Sequence, residues 1–183
     1  MRRLLVIAPH PDDDVLGCGG TIIKNIAEGN DVYVCIVTRG CLPLFLPEKV
    51  EENTQHLLDC HNHLGIKKTF FLDFPAAMME KVERYELNAK LLEVVMEVKP
   101  DEVYIPHWGD MQKDHQIVAD ASMVVLRPKY YPQVKKIYGI GDSAVDIQML
   151  SLADIKFAID PKGGLDNHVD YVRIVNWCLD NML

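Results

Sequence analysis

No apolar run in this 183-residue sequence approaches a membrane span: stretches such as Leu4 to Ala8 fall far short of the roughly 20 residues a spanning helix needs. Basic residues are also scarce, with 19 Lys+Arg against 27 Asp+Glu and a formal charge of -8. That balance argues against a nucleic-acid-binding or anionic-membrane-binding surface. Cysteine pairs are missing. The five cysteines (18, 35, 41, 60 and 178) are odd in number, scattered and free of any CxxC spacing. They read as reduced thiols of a cytoplasmic protein rather than a disulfide framework. Met1-Arg2-Arg3 leads into a short apolar run and then Pro9-His10-Pro11 with three aspartates, which is not expected of a signal peptide. Internal repeats, low-complexity tracts and long charged runs are absent too. What is present is a chain 49% hydrophobic, enough for one compact domain spanning 1–183.

Its periodicities alternate. Arg3 to Ala8 is a continuous apolar run of the kind found in a buried parallel strand. Gly17, Gly19 and Gly20 suggest a turn, followed by a helix over Thr21 to Glu28 that ends at Gly29. Asp31 to Thr38 reads as a second strand and Pro47 to Leu64 as a helix closed by Gly65. Thr69 to Leu72, Leu87 to Val98 and Glu102 to Ile105 continue as strand, helix, strand, and a helix starts near Asp114. Beyond Pro128-Lys-Tyr-Tyr-Pro132, Lys136 to Ile140 and Ile155 to Ile159 read as strands, with helices over Ala144 to Ala153 and Tyr171 to Met182. The expected fold class is α/β: a Rossmann-like three-layer sandwich with a mostly parallel sheet. Ligands of such sheets gather beyond the carboxyl ends of the strands.

Two polar clusters fall at such ends. The first strand runs into His10-Pro11-Asp12-Asp13-Asp14, where three adjacent aspartates repel unless a cation lies among them. The strand at 102 to 105 runs into His107-Trp-Gly-Asp110-Met-Gln112-Lys-Asp114-His115. Histidine nitrogen and carboxylate oxygen suit zinc, and other divalent metals are compatible. Two histidines and an aspartate leave a coordination position for water, as in catalytic zinc sites.

His10-Pro11-Asp12-Asp13 with the Gly17-Cys-Gly-Gly segment, then Asp114-His115, resembles the LmbE/PIG-L family of zinc-dependent N-deacetylases over about residues 1–128. The resemblance implies a hydrolase that removes an acetyl group from a small-molecule N-acetyl amino sugar or its conjugate. It further implies that His10, Asp13 and His115 hold Zn2+, that zinc-bound water is the nucleophile, and that Asp12 is the general base. Asp114 would orient a ligand or the base. The histidine that family members often carry three positions before the last ligand is Gln112 here, an amide that can donate to an oxyanion but cannot carry charge. His107 is a candidate to compensate. No arginine lies between Arg39 and Arg84 to match the one that often follows the second strand.

Residues 133–183 carry Gly141-Asp142-Ser143-Ala-Val-Asp146 between strand and helix. This resembles the C-terminal segment of haloacid-dehalogenase-like phosphatases, where such acids help hold magnesium. The tail reads as a βαβ completion of the sheet. An alternative function is a Mg-dependent phosphatase using Asp142 and Asp146, and another is a non-catalytic metal-binding module. Three smaller signals remain. His56, Cys60 and His63 share a helical face, where core and solvent roles outweigh a metal site. Trp108 is a candidate sugar-stacking ring. Met78-Met79 with Phe70, Phe71 and Phe74 form either core or an apolar lip for a homo-oligomer.

Overall fold

Strand-forming apolar runs and helices alternate through residue 141 of the computed structural model, which describes residues 1–129, 131–141 and the two-residue strand Phe157–Ala158. The elements are β1 (Arg3–Ala8), α1 (Asp13–Ala27), β2 (Asp31–Arg39), α2 (Pro47–Leu64), β3 (Lys68–Pro75), a single 3-10 turn (Met79–Lys81), α3 (Arg84–Val98), β4 (Glu102–Pro106), α4 (Lys113–Val125), β5 (Lys136–Gly141) and β6 (Phe157–Ala158). The strands form one sheet in the order β3-β2-β1-β4-β5-β6. Every pairing is parallel, with Val6 opposite Val34 on one side and Tyr104 on the other. The order reverses between β1 and β4, so their carboxyl ends flank the crevice where such sheets bind ligands.

Successive residues of a strand point to opposite faces, and β1 buries both of its faces. Leu5 and Ile7 join Leu87, Leu91, Val95 and Val118 of α3 and α4 in one core cluster. Leu4, Val6 and Ala8 pack with Cys18 and Ile22 of α1 and Leu57 of α2 in the other. Each fully buried Leu or Ile contributes on the order of 1.5–3 kcal/mol, so the central strands are held from two sides. Met79 and Phe74 are core residues, as the default reading had it.

One expectation is corrected. Gly17, Gly19 and Gly20 lie inside α1, which starts at Asp13 and not at Thr21. Two carboxylates in the first turn favour an early start, because they meet the positive end of the helix. The glycines leave their mark as a kink, where Cys18 takes φ -145 and ψ 22 and interrupts the helical backbone. At the end of α2, Gly65 adopts φ 84, a left-handed cap that a side chain would strain. No helix among the described residues is long and apolar enough to cross a membrane. The expected helices over 144–153 and 171–182 lie outside the described residues.

Candidate metal centre

The turn after β1 is fastened from β2. Both the backbone N–H and the hydroxyl of buried Thr38 donate to the Pro9 carbonyl, at 2.9 and 2.8 Å. The chain then delivers His10 and starts α1, whose successive residues point about 100° apart. The three aspartates are therefore dealt with separately. Asp12 occupies the N-cap position, exposed and without a side-chain capping bond. Asp13 turns back to accept the His10 backbone N–H at 2.8 Å. Asp14 points inward, is fully buried, and meets His61 Nε2 at 2.7 Å.

α4, entered from the end of β4, brings His115 to the same point. His10 Nδ1 lies 3.1 Å from Asp13 Oδ2, His115 Nε2 lies 3.2 Å from the same oxygen, and the two ring nitrogens are 3.2 Å apart. Ligands about 2.0–2.1 Å from a tetrahedral zinc ion are separated by about 3.3 Å. The near-equilateral triangle therefore has the dimensions of one face of such a tetrahedron. The other ring nitrogens are also engaged. His10 Nε2 lies 3.0 Å from Asp114 Oδ2, and His115 Nδ1 lies 2.8 Å from Asp110 Oδ2. A carboxylate only accepts, so each takes the ring proton and leaves the inward nitrogen free to bind an ion. Among the described residues, His10, Asp13 and His115 are the group of three whose donor atoms converge this way. Their chemistry and spacing fit a divalent ion.

Without an ion the two histidines hold their protons more firmly and Asp13 holds its proton less firmly. Burial disfavours a charged His10, but hydrogen bonds to Asp13 and Asp114 prevail and raise it to about 9. His115 is raised as well, with burial opposed chiefly by Asp13 and then by Asp110. Burial works against the Asp13 carboxylate, yet His10 and His115 hold it well below the usual range. Asp12 moves the other way, pushed up first by partial burial and then by the charge of Asp13.

The remaining predicted residues fall into two groups. Asp114 is buried and joins the centre, where its Oδ2 also accepts the Ala77 N–H at 2.6 Å. Ala77 sits at φ 60, so a strained backbone position is fixed by the carboxylate that orients His10. His107 is buried against Gly109, and Gln112 is the exposed N-cap residue of α4. A cavity of about 370 Å³ opens beside the triangle, lined by Asp13, His115, Asp110, Leu16 and Tyr104 among others, but not by His107 or Gln112. Trp108 is exposed on the adjoining loop, which keeps a stacking role open to it. Asp110 is the site residue that sequence reasoning missed. It stood in the second cluster, and a metal-binding histidine ordinarily gives its other N–H to a carboxylate, but spacing alone does not say which one. His56 and His63 are exposed on α2 while Cys60 is half-buried. Asp142, Ser143 and Asp146 lie outside the described residues.

The profile of the PIG-L family, described as GlcNAc-PI de-N-acetylase, matches residues 5–126. The match ends before the segment from 133 on. The chain is 26% identical over 138 residues to the Escherichia coli protein called uncharacterized deacetylase YaiS, covering 69% of each. It is 28% identical over 161 residues to a 1D-myo-inositol 2-acetamido-2-deoxy-alpha-D-glucopyranoside deacetylase of Kineococcus radiotolerans, covering 68% of this chain and 45% of that one. Among solved structures, the N,N'-diacetylchitobiose deacetylase of Pyrococcus horikoshii superimposes with a TM-score of 0.63 at 25% identity, over 73% of this chain and 52% of that one. The chain thus spans about half the length of these two sugar deacetylases.

Proposed function

This chain belongs to the PIG-L family of GlcNAc-PI de-N-acetylases, and we propose accordingly that it is a zinc-dependent hydrolase that releases acetate from an N-acetylated amino sugar or its conjugate. The observation that carries the reading is the triangle of His10, Asp13 and His115, each histidine backed by a carboxylate. The names of the Kineococcus and Pyrococcus relatives support the substrate class.

In this reading His10 Nδ1, Asp13 Oδ2 and His115 Nε2 hold the ion. When bound, it supplies Lewis acidity, polarising the amide carbonyl and lowering the pKa of water toward about 7. Asp12 takes the proton of the attacking water and returns it to the departing amine nitrogen, so that amide and water become acetate and amine. Its raised pKa and exposed carboxylate suit a group that must both accept and give a proton. Asp114 and Asp110 keep the two histidines in the tautomers that ligation requires. Gln112, exposed at the start of α4, would act as an uncharged donor to the oxyanion only by turning toward the cavity, and His107 is assigned as a support of the β4–α4 loop.

We further take 1–183 as a single domain in which the segment beyond 133 completes the sheet. The parallel pairing of β5 to β4 and of β6 to β5 supports this. The free thiols of Cys18, Cys35, Cys41 and Cys60 support a reducing, cytoplasmic setting. The test is elemental analysis of the purified protein together with acetate release from N-acetylglucosamine conjugates. One zinc per chain is expected, with both metal and turnover lost in His10→Ala and His115→Ala. Full turnover after exhaustive chelation would overturn the proposal.

A further inference from the structure

The chemistry above leaves unused a chain of polar groups that runs from half-buried Thr69 through the core to the acidic turn. α2 is an 18-residue helix with only two buried residues, Leu57 and His61. One helical turn beyond Leu57, an amphipathic helix ordinarily carries another apolar residue. His61 is instead 2% exposed, with both ring nitrogens engaged: Nε2 lies 2.7 Å from Asp14 Oδ2 and Nδ1 lies 2.7 Å from Thr69 Oγ1. The carboxylate only accepts, so Nε2 carries a hydrogen. In the neutral ring Nδ1 is then the acceptor, and the Thr69 hydroxyl donates to it. Three elements, β3, α2 and α1, are thereby linked in one directed line that ends beside Asp13.

Resting on the reading of His10, Asp13 and His115 as metal ligands, we infer that His61 is a positioning residue for that centre, acting through Asp14. Two further observations support this. Asp14 is fully buried, its Oδ2 meets His61, and its Oδ1 has no hydrogen-bond partner among the described residues. His61 is thus the side chain that compensates this carboxylate, and a buried carboxylate without compensation seeks solvent. The kink at Cys18 also separates the first turn of α1 from the rest of the helix. Continuity of the helix therefore does not by itself fix the first turn; the bond to His61 holds it from the core, beside the Asp13 bond to the His10 N–H. If Asp14 swings outward, Asp13 turns with it, and a metal site tolerates displacements of only about 0.5 Å.

The test is zinc affinity at neutral pH, measured by competition with a chromophoric chelator, with the visible spectrum of the Co2+-loaded protein as a report on ligand geometry. His61→Leu is expected to bind zinc about 10–100-fold more weakly and to lose kcat more than KM. His61→Gln, which keeps a donor toward Asp14, is expected to retain affinity within about threefold on the same scale. Asp14→Asn/His61→Leu, which leaves no buried charge, is expected to recover most of the loss suffered by His61→Leu. A folded His61→Leu with unchanged zinc affinity and cobalt spectrum would overturn the inference, as would a double variant no better than the single one. If His61→Leu does not fold, Thr69→Val decides the matter. It frees only Nδ1, and a shifted cobalt spectrum with weaker zinc binding supports the inference while unchanged values refute it. Failure of the unaltered chain to bind zinc at all would overturn the reading of the site, and this inference with it.

Discussion

Asp110 accepts from His115 Nδ1 on one oxygen and from the Gln112 backbone N–H, at 2.8 Å, on the other, so it holds His115 and the residue that precedes α4 at once. Asp110→Ala is therefore expected to weaken zinc binding about 10–100-fold, with little change in the circular dichroism spectrum. Chelator competition measures the first effect, and wild-type affinity would show that His115 is oriented without it. Protons give a second prediction. In the metal-free protein His10 is raised to about 9, so at neutral pH its ring is protonated and Nδ1 is closed to an ion. Binding must expel that proton. Affinity should rise about tenfold per pH unit for each proton displaced, and the His10 contribution should flatten once pH passes about 9. Calorimetry in buffers of differing ionisation enthalpy counts the released protons, and an affinity flat between about pH 6 and 8 would contradict the assignment. The two polar clusters were legible, since both follow strands on one edge of the sheet, and the resemblance to the deacetylases singled out His10, Asp13 and His115, whose donor atoms do converge. Their partners were not legible. Which carboxylate reaches which ring nitrogen depends on rotamers and loop geometry, and the same three-aspartate run hid a solvent-facing, a ligand-facing and a core-facing side chain.

The β4–α4 loop shows what an element adds to its residues. A Cβ built on Gly109 would collide with the ring of His107, so the loop folds over that ring because residue 109 has no side chain. Gly109→Ala is expected to destabilise the protein by about 1–3 kcal/mol, as overpacking does. It should weaken zinc binding as well, because Asp110 follows directly. Thermal unfolding and zinc affinity should fall together, and a stable variant with unaltered affinity would show that the loop yields without moving Asp110. Strand and helix positions were readable from the 2- and 3.6-residue periods, most closely for β1 and α2, which occupy the expected residues. The start of α1 was not readable. Glycines signal turns by composition, whereas here the helix runs through them and gives up regular geometry only at Cys18. Tertiary contacts outweighed propensity at that point: Thr38 holds Pro9, Asp13 binds the His10 N–H, and Asp14 meets His61.

Across the whole molecule, alternating periods were enough to name a parallel α/β sheet, but they could not give the strand order. That order is what matters for the site, because placing β4 beside β1 brings together residues 105 positions apart in the chain, His10 and His115. An ion held there cross-links the turn after β1 to α4 in the folded state only, since the unfolded chain has no assembled site. Zinc should therefore stabilise the fold by mass action, by about 2.7 kcal/mol at a free concentration 100 times Kd. For a chain of this length that corresponds to a rise of roughly 5–10 °C in the unfolding midpoint. The rise should grow with the logarithm of zinc concentration, disappear on chelation, and be absent in His115→Ala. Magnesium at the same concentration should have little effect, because two imidazole nitrogens suit zinc better than an ion that prefers oxygen ligands. Scanning calorimetry of the two proteins across a zinc series checks each point. An equal rise in both would place the stabilising ion elsewhere on this acidic chain, whose net charge of -8 offers many weak carboxylate sites. A rise confined to the wild type would tie the ion to the junction between β1 and β4.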